Sequence, residues 1–159
     1  MDPILKLLQQ DASLSPATIA HRLGKSEAEV SQAIEDYQEK KIILGYRALI
    51  NEDLLGVDRV RAVIEVKTTP EREGGFNRLA SRIAKHDEVR TCYLMSGAYD
   101  LLVLVEGKSL HDVATFVAQK LATLEGVVST STHFMLKPYK EHGVLMHQEE
   151  RPDRLKVTP

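Results

Sequence analysis

Asp100 closes the run Met95-Ser96-Gly97-Ala98-Tyr99-Asp100. Its carboxylate offers an anion to an ammonium group, and the backbone amides around Gly97 and Ala98 offer donors to a carboxylate. The hydroxyls of Thr130 and Thr132 are donors of the same kind, and Met95 or Tyr99 can line a space for a side chain. Such groups suit a small zwitterion. Taken alone, they are better described by a plainer reading in which Asp100 stabilises a turn and the threonines are ordinary strand residues.

Other chemistry is poorly supplied. The chain has 6 histidines. His142 and His147 lie toward its C-terminal end, and His21, His86, His111 and His133 fall on separate segments. None belongs to a His-x-x-Glu-His or Cys/His ligand set, so neither a metal nor a cofactor is expected. Cys92 is the single cysteine. It sits in a strand-like run with no histidine at motif spacing, which reads as a buried, inert thiol. One cysteine rules out a disulfide within the chain and fits a reducing cytoplasm. Gly74-Gly75 lacks the Lys and Ser/Thr of a phosphate-binding loop. Glu35-Asp36 and Glu149-Glu150 read as solvated charge. These residues do not predict an enzyme.

The chain is 159 residues long, 43% hydrophobic and 28% charged, which suits one ordinary domain or two small ones. No apolar run approaches membrane-spanning length, and Met1-Asp2-Pro3-Ile4 opens no signal-peptide pattern. The formal net charge is −2. Duplex binding draws on excess Lys and Arg, so the charge argues against strong non-specific affinity for DNA.

The elements that must position these groups follow from periodicity. Pro3 after Asp2 opens a helix carrying Ile4, Leu5, Leu7 and Leu8. Ser15-Pro16 opens a second, with Ile19, Ala20 and Leu23 on one face and Gly24 to close it. Ser26-Glu27-Ala28-Glu29 is a capping box for a third, whose inner face is Val30, Ala33, Ile34 and Tyr37. Helix, tight turn, helix is the helix-turn-helix pattern; a plain trihelical bundle satisfies the same spacing. Lys40 to Ile50 then reads as a turn and an extended wing or connector.

Within a helix-turn-helix the third helix would enter the major groove, yet it carries Glu27, Glu29, Glu35, Asp36 and Glu39. Phosphate contacts would fall to His21, Arg22, Lys25, Lys40, Lys41 and Arg47, with Ser26 at the turn and Ser31 and Gln32 as base readers. Weak affinity per subunit is expected, raised by linking several subunits.

After Leu54-Leu55-Gly56-Val57-Asp58, a hinge, the period becomes two: Val60, Ala62, Ile64 and Val66 oppose Arg61, Glu65 and Lys67. Thr69-Pro70 opens a connection, and Phe76, Leu79, Ala80, Ile83 and Ala84 form a helical stripe, its start delayed by Gly74-Gly75. Strands follow at 88–95 and 99–106, joined by a tight hairpin in which Gly97 takes a positive φ. Ser109 caps a helix with the stripe Leu110, Val113, Ala114, Val117, Leu121 and Leu124, stopped by Gly126. Val127 to Leu136 is a last, Ser/Thr-rich strand. The order β-α-β-β-α-β predicts a ferredoxin-like sandwich: a four-stranded antiparallel sheet with both helices on one face. The unalternating run Leu101–Val105 puts aliphatic residues on both faces, so a second copy of the chain is expected to cover the bare one.

This arrangement resembles the Lrp/AsnC (feast/famine) transcription regulators over nearly the whole chain, to about Tyr139. The residues that carry the likeness are Ile42-Ile43-Leu44-Gly45-Tyr46, Tyr93-Leu94-Met95-Ser96-Gly97-Ala98-Tyr99-Asp100, and the pair Thr130 and Thr132. The resemblance implies an α+β protein: a winged-type helix-turn-helix followed by a sheet domain of the regulation-of-amino-acid-metabolism type. It also implies a homodimer through the sheet domains, assembled into tetramers or octamers, double-stranded DNA as partner, and an amino-acid effector bound between dimers. That effector would lie near Met95, Gly97, Ala98, Tyr99, Asp100, Thr130 and Thr132. Family members often carry arginines in the second half of the recognition helix, where this chain has Ala33-Ile34-Glu35-Asp36-Tyr37.

The expected organisation is a DNA-binding domain at 1–47, a connector at 48–58, an effector-binding and oligomerisation domain at 59–140, and a polar arm at 141–159. Two other functions compete. One is a tetrapyrrole (sirohaem-type) decarboxylase relative with a degenerate helix-turn-helix, disfavoured by the lack of a His and Arg cluster beside the hairpin. The other is a stand-alone metabolite sensor that binds a protein partner.

Overall fold

A computed structural model describes residues 1–57, 59–69 and 75–146. The expectations for Asp58, for Pro70 and Gly74 in the connection, and for the arm from His147 onward lie outside the described residues. The chain divides into two units, Met1–Ile50 and a second beginning at Asn51.

In the first unit each helix begins where a short polar side chain satisfies an orphan amide. Asp2 Oδ1 accepts from the Ile4 N–H at 2.7 Å at the start of α1, Pro3–Gln10. Ser15 Oγ accepts from the Thr18 N–H ahead of α2, Pro16–Leu23. For α3, Glu27–Glu39, the capping box is complete: Ser26 and Glu29 each bond the other's backbone amide. Gly24, at φ +63°, makes the left-handed turn between α2 and α3. Ile4, Leu8, Ile19, Ala20 and Val30 form the core, with Leu7, Leu14, Leu23, Ala33, Ile34 and Ile43 packed around it. Tyr37, expected on the inner face, is only partly covered. Burial, together with Asp2 beside it, raises the pKa of its phenol.

Beyond α3 the amides of Ile42 and Ile43 both donate to the Tyr37 carbonyl. The segment expected as a turn and an extended wing or connector pairs with no strand. Residues 44–50 are exposed and belong to no helix or strand.

The second unit opens with a single 3₁₀ turn, Glu52–Leu55, and then β1, Val60–Thr68. The sequence continues as α4 (Asn77–Ile83), β2 (Val89–Leu94), β3 (Leu101–Gly107), α5 (Leu110–Thr115) and β4 (Val127–Phe134). The sheet order is β2-β3-β1-β4, all neighbours antiparallel. Ala62, Ile64 and Val66 of β1 and Leu101, Val103 and Val105 of β3 pack against Leu79, Ile83, Val113, Phe116 and Leu121 from the helical side. This is the ferredoxin-like sandwich that the alternation of β1 and the order of elements predict.

One helical face differs from expectation. Leu110 is 58% exposed, whereas Phe116, absent from the predicted stripe, is buried at 2%. The reason is a π turn over Phe116–Leu121, in which Ala122 N–H reaches back five residues to the Val117 carbonyl at 2.8 Å. The wider turn brings Phe116 and Leu121, five apart, onto one face, which a uniform 3.6 period does not allow. Phe116 meets the His86 ring edge-on at 5.5 Å between centroids.

The segment from 141 is also not a plain extended arm at its start. β5 (Lys140–Glu141) and β6 (Val144–Leu145) pair as a hairpin, with His142 at φ +46° and Gly143 at φ +87° making the turn. Met146 just beyond is buried. Among the described residues no helix is long and apolar enough to cross a membrane.

Candidate functional site

The β2–β3 hairpin closes where the Met95 N–H donates to the Asp100 carbonyl at 2.8 Å. Gly97 sits at φ +139°, and a Cβ there would meet nothing within 4 Å, so its requirement is conformational rather than steric. Met95, Gly97 and Ala98 are exposed; Tyr99 and Asp100 are half-buried.

Asp100 has a structural task. The ladder between β1 and β3 ends at Val66 opposite Leu101, and the ladder with β4 slips between Lys67 and Thr68. Thr68 is buried, and beyond the ladder's end its amide needs a partner. Asp100 Oδ2 supplies it, accepting from the Thr68 N–H at 2.7 Å and from the Thr68 hydroxyl at 3.4 Å. The Asp100 N–H in turn donates to the Val66 carbonyl at 3.0 Å. The plainer reading of Asp100 as a turn-stabilising residue therefore describes one of its oxygens. Its other oxygen, Oδ1, has no hydrogen-bond partner among the described residues.

Thr130 and Thr132 lie elsewhere. They stand opposite Val66 and Ile64 on edge strand β4, and partners in an antiparallel ladder share a face, so both are on the helix side of the sheet. Strand β1 separates them from β3, which places them two strand spacings, about 10 Å, from the hairpin strand. One chain does not gather all seven predicted residues into a single pocket. The sequence reading also missed Thr68; its place in the buried phase of Val60, Ala62, Ile64 and Val66 was the available signal.

The sheet face away from the helices has a half-buried aliphatic centre of Val63, Leu102 and Leu104, with Tyr93 beside Leu102 at 57% exposure. Arg61, Glu65 and Glu106 surround it in the same ladder phase.

In the first unit, His21, Arg22, Lys25, Lys40, Lys41 and Arg47 are all exposed. His21 and Arg22 fall in the last turn of α2, Lys40 caps α3, and Lys41 follows at φ +57°. Ser26 is committed to the cap: its hydroxyl donates to Glu29 Oε2 at 2.7 Å. The hydrogen bonds from Ser26 hold the Glu29 carboxyl below its ordinary pKa. Ser31 is half-buried. Gln32 is exposed, with one amide donor engaged by Asp36 Oδ1 at 3.0 Å, an i, i+4 bond along the helix. Among the described residues no group of three or more His, Cys, Asp or Glu side chains is arranged to hold a metal.

The Lrp/AsnC ligand binding domain matches residues 61–145, and a winged helix-turn-helix DNA-binding domain matches residues 4–43. The HTH-type transcriptional regulator YugG of Bacillus subtilis (strain 168) is 42% identical over 157 residues, spanning 98% of this chain and 95% of that protein. Among solved structures, E. coli AsnC superposes with a TM-score of 0.66 at 23% identity, covering 87% of this chain and 91% of that one. The transcriptional regulator NMB0573 of Neisseria meningitidis, solved in complex with L-Met, superposes with a TM-score of 0.69 at 22% identity, covering 87% and 89%.

Proposed function

From the premise that this chain belongs to the Lrp/AsnC family of transcriptional regulators, and is not an enzyme, we propose that it is a DNA-binding regulator whose assembly responds to an amino acid. The tetrapyrrole-decarboxylase alternative is set aside on the same ground.

The observation that carries the effector reading is the division of labour at Asp100. One carboxylate oxygen is spent on Thr68, and the other has no partner among the described residues, in a hairpin whose amides at Gly97 and Ala98 belong to exposed residues. An ammonium group at Oδ1 and a carboxylate at those amides would satisfy a zwitterion. Thr130 and Thr132, displaced across β1, would then reach the ligand from another copy, making the effector a bridge between subunits. The solved L-Met complex of the Neisseria protein supports an amino acid as the class of ligand. The half-buried aliphatic centre of the open sheet face supports a homodimer as the building block. His21, Arg22, Lys25, Lys40, Lys41 and Arg47 would hold the phosphate backbone, with Gln32 and Ser31 toward the bases. Effector binding then shifts the assembly by its differential affinity for two arrangements of subunits.

Sedimentation and DNA mobility of the purified protein, followed while each of the common amino acids is added, test this reading. A change in mass or mobility with one or a few of them is expected. No response to any amino acid would remove the effector half, and no salt-sensitive retention on duplex DNA would remove the other.

A further inference from the structure

Arg61 lies on the open face of β1 and is the hub of an ion cluster. Its guanidinium donates to Glu141 Oε1 at 2.7 Å and to Glu52 Oε2 at 2.9 Å, and lies 3.3 Å from Glu106 Oε1. Arg59 approaches Glu52 at 3.3 Å and Glu106 at 3.7 Å, and Arg90 bonds Glu106 at 2.6 Å. Burial alone would lower the Arg61 pKa; the hydrogen bond to Glu52 and the charges of Glu141, Glu52 and Glu106 outweigh it and hold the guanidinium charged. The partners come from three places: Glu106 from the sheet, Glu52 from the connector, and Glu141 from the C-terminal hairpin. A second, uncharged tie joins the last two places. Asn51 Nδ2 donates to the Met146 carbonyl at 3.0 Å, and Met146 is itself buried, its N–H bonded to the Tyr139 carbonyl.

We propose that the β5–β6 hairpin is a latch that pins the connector at Asn51 and Glu52 to the sheet, and so sets the length of free tether carrying the helix-turn-helix unit. The inference rests on the DNA-binding reading above. With the latch closed, the exposed and unpaired stretch is 44–50, about seven residues; with it open, the tether extends to the start of β1, about twice as long or slightly more. When two linked reading units engage one duplex whose half-sites the shorter tether already spans, the second binds at an effective concentration that falls with roughly the −3/2 power of tether length. Opening the latch therefore weakens two-site binding about threefold and leaves the affinity of a single unit for a single half-site unchanged. The planar fork of Arg61 holds two carboxylates at once, which a lysine cannot reproduce.

The test uses the full chain and two variants, Glu141→Gln and Asn51→Ala, each leaving the sheet untouched. Backbone amide exchange is measured over 51–56 with Val103 and Val105 as internal controls. Binding is measured to a duplex that the parent protein selects from genomic DNA, and to the same duplex with one half-site scrambled. Faster exchange at 51–56 with unchanged core amides, together with weaker binding to the intact duplex alone, is the expected result. Unchanged exchange in both variants would overturn the latch. So would faster exchange with unaltered two-site binding, or an equal loss on both duplexes. If the parent selects no DNA, it is the DNA-binding reading that fails, and the tether role falls with it.

Discussion

The amide of Thr68 on β1 and the carboxylate of Asp100 at the foot of β3 are joined by a 2.7 Å hydrogen bond that continues the sheet one step past its last backbone pair. A residue that sequence alone offers as a ligand group is thereby also part of the scaffold. The two roles separate by substitution. Asp100→Ala leaves the Thr68 amide buried without a partner and is expected to cost about 1–3 kcal/mol in urea unfolding. Asp100→Asn keeps an oxygen acceptor for Thr68 and is expected to unfold within about 1 kcal/mol of the parent. It nonetheless loses the response to amino acids because the ammonium partner is gone. An Asn variant that still responds would remove Asp100 from the effector site.

The open sheet face makes a prediction about assembly. Leu104 stands opposite Val63 at the centre of that face. In a two-fold pair, Leu104→Asp alters the contact twice, and each fully buried leucine contributes about 1.5–3 kcal/mol. The dimer dissociation constant should rise at least about a hundredfold. Sedimentation at micromolar concentration reads this directly; an unchanged mass would place the dimer contact elsewhere.

The capping box of α3 gives a pH dependence whose sign is determined. Ser26 bonds the ionised Glu29 carboxylate, so the folded pKa lies below the ordinary value of 4.5. The contribution is fully present above that value and is lost as pH falls through the lowered one. Helix stability in the parent and in Glu29→Gln, followed by circular dichroism from pH 7 downward, should differ at neutral pH and converge in acid. Curves that stay parallel throughout would show the box is not formed in solution.

Two glycines should respond differently to asparagine. Gly24 at φ +63° lies in the left-handed helical region, where Asn is tolerated. Gly97 at φ +139° lies outside it. Gly24→Asn should therefore destabilise less than Gly24→Ala, whereas Gly97→Asn and Gly97→Ala should each cost about 1–3 kcal/mol alike. Thermal melts of the four variants decide the matter.

Much of the architecture is legible in the sequence. The caps at Asp2, Ser15 and Ser26 and the stop at Gly24 are local chemistry between residues two to four apart, so spacing reveals them. The alternation from Val60 to Val66 likewise announces a half-buried strand, because a strand's period is two. The π turn at Phe116–Leu121 was not legible, since a change of helical period is imposed by what the helix packs against. The C-terminal hairpin is not legible either, because its strands are only two residues long.

The candidate site divides in the same way. Residue type and spacing were enough to single out Gly97 and Asp100 as the chemistry of a hairpin, and to name the basic residues flanking α3. Only the tertiary structure decided that Thr68 takes one Asp100 oxygen, that Thr130 and Thr132 face the helices across β1, and that Arg61 gathers Glu52, Glu106 and Glu141. Those relationships join residues as many as 80 positions apart. Strand order and ladder register set them, and no local pattern in the chain encodes which side chains those two choices bring into reach.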